Sequence, residues 1–497
     1  MKLQMKTVQV HCLTDLIQDT ENNEQTQELR LSDGMPDVGR VIGAWGQGIL
    51  RSKEWHTDHI LASGGSLIWV LYEPEGGESL QVVSSWIPFQ FRWELPEDSR
   101  EGDIRISLLT RFADARSVSP RKILIRAGVA ARAEALVREV TDTWIPPQQA
   151  EFPVLTESET IRLRKESGEK SVLLDEMLQI PESVPVPEKM IYCTLSPKIT
   201  ENRVVGDKLV FRGQGILHMV YQSNSGQVYS WDFQVPYSQY VQLDREYGNE
   251  SSGDICLCVT SMEADLEPDG KLRLKAALAA QYVICDTETF SYLKDSYFPG
   301  RELEITRKNA EFSVLDEPFR KTVTVEANVP SNADLVPDVL FLPDYPMLQQ
   351  MQSVMEVALP GNFQMLYYSP DGKLNCTLSR WEGKEKLPFG SRSEIFWDME
   401  TVQVLAEPGN GGIKLKSEME LKGRLSKMQQ VSMITELDLG QELPRDPAQP
   451  SLILLRCGKD SLWDIAKRTG STLEKIVAAN HLEGECMPGQ LLLVPLR

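Results

Sequence analysis

Several things are missing from this sequence. Histidine is scarce, at five in 497 residues, and cysteine is sparse, at eight. There is no GxxxxGK[ST], no HExxH, no convincing GxSxG and no CxxC, so no phosphate loop, zinc protease or nucleophile elbow is written locally. No run of 18 apolar residues occurs, so no transmembrane helix is expected. The first residues lack an apolar stretch of signal-peptide length, and the expectation is a chain that stays in the compartment where it is made. Positive charge is also short: 52 Lys+Arg face 72 Asp+Glu, a formal charge of −20. A surface that acidic does not suit nucleic acid or an anionic membrane, because phosphates need a basic face.

The scarce residues do not assemble into chemistry. His56 and His59 lie three apart, with no further pair to complete a zinc site, and read as a solvated loop. Cys256 and Cys258 alternate along an expected strand and read as buried thiols. All eight cysteines are expected to be reduced, which fits a cytosol. No cofactor, no metal and no catalytic residue is expected, and the chain is not read as an enzyme.

What the sequence does have is a repeat. Asp58 and Asp207, Gly64 and Gly213, and Tyr72 and Tyr221 are each 149 residues apart. Each copy is an apolar run ending in Tyr, four polar or turn-forming residues, a Gly (Gly77, Gly226) and a second apolar run. A weaker third copy carries Gly361, Tyr367 and Gly372. This is hairpin chemistry, with Gly supplying the positive φ of a tight turn. Trp86-Ile87-Pro88-Phe89 then matches Val235-Pro236-Tyr237, and also Leu387-Pro388-Phe389. Alternating segments such as Leu272-Arg273-Leu274-Lys275 place apolar side chains on one face of a strand.

The expected fold is therefore multidomain and mainly β. Three β-rich repeats (1–148, 149–309 and 310–445) are each read as an antiparallel sandwich or distorted barrel. Met347–Val357 reads as a short helix, and the Pro-rich stretches at 144–147 and 181–187 as linkers or loops. A linker at 446–451 leads to a last module, 452–497. That module holds six Lys/Arg against five Asp/Glu, so the acidic excess belongs to the repeats.

Residues 452–497 read as strand, helix, helix, strand. Asp460 or Ser461 is placed to cap the first helix and Gly470 to stop it. Ser471 or Thr472 is placed to cap the second, with Glu474 at capping-box spacing from Ser471. Lys459-Asp460-Ser461-Leu462-Trp463-Asp464-Ile465-Ala466, Asn480-His481-Leu482 and Pro488-Gly489-Gln490-Leu491 together resemble the LysM family, with Lys459 where that family usually has Gly. The resemblance implies a small βααβ domain. It also implies a groove for N-acetylglucosamine polymers, formed by Lys459, Asp460, Ser461, Leu462 and Trp463 with Asn480, His481, Leu482, Met487, Pro488 and Gly489. Leu462, Trp463 and Ile465 admit a second reading as plain core.

The repeat landmarks resemble the SPOCS domain of sporulation proteins. With a terminal LysM, the whole chain is similar to the SipL-like family of spore coat morphogenetic proteins. That resemblance implies a non-catalytic scaffold in the mother-cell cytoplasm at the forespore surface, whose LysM binds the coat ATPase SpoIVA. The alternative partner is peptidoglycan or a chitin-like glycan. A third alternative is a carbohydrate-processing enzyme with a carboxylate pair inside the repeats.

Overall fold

The computed structural model describes residues 5–77, 79–146, 152–316, 318–351, 354–387, 394–409, 412–444, 450–484 and 486–496. The Pro388-Phe389 landmark and most of the 446–451 linker lie outside these residues. The first third holds β1 (Lys6–Arg30), β2 (Val38–Trp55), β3 (His59–Pro74), β4 (Gln81–Glu94), β5 (Asp103–Ser119) and β6 (Lys122–Ile145). They pair antiparallel as β1–β6–β5 and β2–β3–β4.

The same plan recurs twice. In the second third, β7 (Val154–Leu178), β10 (Ser252–Leu266) and β11 (Leu272–Ser296) form one set, and β8 (Pro187–Ser223) and β9 (Val228–Tyr247) the other. β8 folds back at Gly206, φ +60°, bringing Thr200 Oγ1 to within 3.2 Å of the Arg212 carbonyl, and so does the work of β2 and β3 together. In the last third, β12 (Arg301–Leu315) and β13 (Phe319–Val329) flank β19 (Gly412–Glu442). β18 (Glu394–Gly409) also pairs with β19. β14 (Leu335–Pro343), β15 (Met347–Met351) and β17 (Leu374–Leu387) pair with β16 (Val354–Tyr368).

The landmarks now have physical causes. Gly77, Gly226 and Gly372 have φ of +77°, +82° and +78°, values that an L side chain rarely adopts. Tyr72 and Tyr221 are fully buried, and each hydroxyl donates to a proline carbonyl, Pro36 at 3.1 Å and Pro185 at 2.8 Å. A buried phenol needs such an acceptor. Two expectations fail. Met347–Met351 and Val354–Val357 lie in strands, not in the expected helix, because β15 pairs with β16 and β16 with β17, and pairing overrides local propensity. Trp144 and Ile145 are no linker; they close β6, opposite Thr7 and Lys6.

The repeats share their interiors. One sheet runs β10-β11-β7-β1-β6-β5 across the first two, joined where Leu13 faces Arg164. Val10 and Cys12, Ile161 and Leu163, Phe290, Phe312 and Met433 form a single cluster drawn from all three thirds. Trp45 stacks on Tyr192 with ring centroids 4.7 Å apart.

A buried ion network also joins the three. Arg105 holds Glu134 at 2.8 Å and Asp254 at 2.7 Å; Arg424 reaches Asp254 at 2.8 Å and Glu134 at 3.6 Å. Arg164 pairs with Asp15 at 2.7 Å. Arg105 and Asp254 occupy one repeat position, 149 residues apart, with opposite charges, and so do Asp15 and Arg164. Burial pushes the Asp15 carboxyl up to about 6 despite Arg164. Burial acts the same way on Asp254, but Arg424 and Arg105 outweigh it and hold that carboxyl at about 2.

Candidate functional site: the C-terminal groove

The last module is β20 (Leu452–Arg456), α1 (Leu462–Thr469), α2 (Leu473–Asn480) and β21 (Leu491–Pro495), with the two strands paired. Ser461 caps α1: its Oγ accepts from the Asp464 N–H at 3.2 Å, and Asp464 Oδ2 accepts from the Ser461 N–H at 3.1 Å. That hydrogen bonding, chiefly from the Ser461 side chain, holds the Asp464 carboxyl below its usual range. Gly470, φ +67°, ends the helix. Thr472, not Ser471, caps α2, accepting from Lys475 N–H at 3.3 Å. Ser471 is buried, with its Oγ donating to the Pro495 carbonyl at 2.5 Å, so the expected Ser471–Glu474 box does not form. Leu462, Ile465, Ala466, Ile476, Leu492 and Val494 form the core.

The two expected loops do come together. The Cys457 N–H donates to the Gln490 carbonyl at 2.8 Å, and the Gly489 N–H donates to the Cys457 carbonyl at 2.7 Å. Cys457 and Cys486 form a disulfide across them, with Cα atoms 6.5 Å apart. This corrects the expectation of eight reduced thiols: residues 29 apart in sequence meet only because the loops close on one another. Cys12, Cys193, Cys256, Cys258, Cys285 and Cys376 are in no disulfide, and all are buried or half-buried. Burial pushes the Cys12 thiol up to about 11 and Cys376 to about 12, so they stay protonated.

The eleven expected groove residues divide by role. Lys459, Asp460, His481, Met487, Pro488 and Gly489 are exposed on the two loops. Gly489 has φ +91° and His481, capping α2, has φ +52°. Asn480 is structural: its amide donates to the Ile476 carbonyl (2.8 Å) and the Leu493 carbonyl (2.6 Å), and accepts from the Leu493 N–H (2.7 Å), fastening α2 to β21. Leu462 is buried core, and Leu482 packs partly against it. Asp460 pairs with Arg468 at 2.8 Å.

Trp463 faces the repeats. Its indole N–H donates to Asp295 Oδ2 at 2.9 Å, and its ring meets Tyr297 edge-on at 5.0 Å. Lys467 holds the same carboxylate at 2.7 Å, and the Tyr297 hydroxyl donates to the Ser471 carbonyl at 3.0 Å. Burial would raise the Asp295 carboxyl, but the hydrogen bonds from Lys467 and Trp463 prevail and lower it. Asp295 and Tyr297 sit at the end of β11, where no sequence rule marks a contact surface.

The LysM domain family matches residues 459–495. The chain is thus a mainly β protein of several β units that carries a C-terminal LysM domain. Comparison with curated proteins and with solved structures finds no match.

Proposed function

We propose that the chain is a non-catalytic adaptor in which the fused β-repeats form a platform and the LysM domain displays a binding surface. The observation that carries this reading is the lock between Trp463, Lys467 and Asp295, which holds the module against β11. The resemblance of the repeat landmarks to the SPOCS domain supports a protein partner, a SpoIVA-like coat ATPase at the forespore surface of the mother-cell cytoplasm. Exposed apolar side chains on the module, Leu454 at 63% and Met487 at 75%, suit such a partner. Co-purification with that ATPase from sporulating cells, lost on deleting 452–497, tests it; retention after the deletion refutes the LysM as the contact.

A second reading has its own observations. The LysM match favours an N-acetylglucosamine polymer, peptidoglycan or chitin-like, as ligand. The Cys457–Cys486 bond favours an oxidising compartment, since cytosolic thiols are kept reduced. Sedimentation with purified peptidoglycan, abolished by Met487→Asp, would establish this reading over the first.

A further inference from the structure

A cleft of about 940 Å³ opens on the first repeat, far from the LysM in sequence, lined by Asn23, Gln25, Arg51, Ser63, Trp86 and Gln90 among others. Gly64, in its lining, and the adjacent Gly65 have no room for a side chain. A Cβ on Gly65 would lie 2.3 Å from the Trp86 ring, and one on Gly64 would lie 2.1 Å from the Ile49 carbonyl. Trp86 remains 37% exposed. The Arg51 guanidinium lies over the indole, 5.2 Å from its centroid. Asn23 donates to the Gln90 carbonyl at 3.2 Å.

The sister repeat shows that the fold does not require this cleft. Asn23 pairs with Val129 and Gln25 with Ala127; 149 residues on, Val172 pairs with Leu278 and Leu174 with Ala276. Val172 and Leu174 are buried in the core of the second repeat. By the same logic Gly65, opposite Pro88, corresponds to Gln214, opposite Pro236, and Trp86 corresponds to Gln234. One repeat thus buries two aliphatic side chains, Val172 and Leu174, where the other has Asn23 and Gln25. The first repeat leaves the place open and lines it with amides and an exposed indole.

We infer that this cleft is a binding site for a neutral saccharide. No carboxylate lines it, so it does not suit a cation, and Arg51 is its one basic group, too little for a polyanion. An apolar ligand would strip water from three amides without replacing their hydrogen bonds. A sugar offers each of them a partner, because hydroxyls, like amides, both donate and accept. The C–H face of a pyranose takes the place of Arg51 over Trp86, and Arg51 then donates to the ring hydroxyls. This site is separate from the LysM groove and does not depend on either reading of it.

The test is calorimetric titration of the full chain, carrying Met487→Asp to disable the LysM groove, with chitotetraose and with maltotetraose. Saturable binding of at least one is expected. Trp86→Ala should weaken it about tenfold, the loss of one aromatic contact. Asn23→Val with Gln25→Leu, the residues of the sister repeat, should abolish it while the melting temperature holds. Absence of saturable binding by either sugar overturns the inference. So does binding that survives both variants within twofold.

Discussion

Replacing Asp295 by alanine should release the LysM domain from the repeats. The carboxylate is 16% exposed and gathers the Trp463 indole N–H at 2.9 Å, the Lys467 ammonium at 2.7 Å and Arg307 at 3.5 Å. A hydrogen bond to a charged acceptor contributes about 1.5–3 kcal/mol. Lys467 is 41% exposed, so solvent screens its ion pair to about 0–1 kcal/mol; Arg307 lies on β12, within the repeats, and adds nothing to docking. The loss is then about 2–3 kcal/mol of docking free energy, roughly a 30- to 150-fold shift toward the undocked module. Hydrogen exchange of α1 and of the end of β11 should rise together, and proteolysis should accelerate between residues 444 and 451. The repeats should melt unchanged. Trp463→Phe, which keeps the ring contact with Tyr297 but loses the N–H, should show a smaller effect of the same sign. Docking should also weaken in acid. The Asp295 carboxyl is depressed in the folded chain, so its contribution is present above the unfolded value and is lost as pH falls through the folded one. Unchanged exchange in Asp295→Ala would refute the lock, and with it the adaptor reading's main support.

Other outcomes follow from the same coordinates. Glu134→Gln leaves Arg105, Arg164 and Arg424 short of one buried negative charge and should cost about 3–5 kcal/mol in denaturant unfolding, recovered in part by Arg105→Met. His218 lies between Asp232 at 2.6 Å and Asp338 at 2.9 Å; burial would lower its pKa, but Asp338 and both hydrogen bonds push it up to about 10. Its contribution is therefore complete below about 6.5 and fades as pH rises toward 10, and His218→Asn should flatten that slope in unfolding experiments. Reducing Cys457–Cys486, or changing both to Ser, should destabilise the LysM by about 3 kcal/mol and leave the repeats untouched, as separate transitions in calorimetry would show. Leu462→Arg should unfold the module by circular dichroism, since Leu462 is buried in its core.

Much of the LysM domain is legible in sequence because its signals are local. Ser461 and Gly470 bracket α1 through contacts within a turn or two, and alternation along β21 separates buried Leu492 and Val494 from exposed Leu491 and Leu493. The placement of the expected groove residues was partly legible. Lys459, Asp460, His481 and Met487 lie on the expected loops, but Asn480 and Leu462 proved structural, because what a side chain touches depends on neighbours that spacing does not reveal.

The sequence by itself determined the period of 149 residues, the hairpins with their glycine turns and the identity of the last module. These rest on alternation, positive φ and short-range capping, all confined to neighbouring residues. Only the tertiary structure decided that Arg105, Glu134, Asp254 and Arg424 meet in one buried network, that Cys457 reaches Cys486, and that Trp463 faces Asp295. The physical reason is common to all three. Coulombic pairing, disulfide closure and side-chain docking act between groups brought near by the fold, and the chain between them carries no mark of it. The same holds for the cleft beside Trp86: the period aligns Asn23 with Val172, but only the fold leaves one open and buries the other.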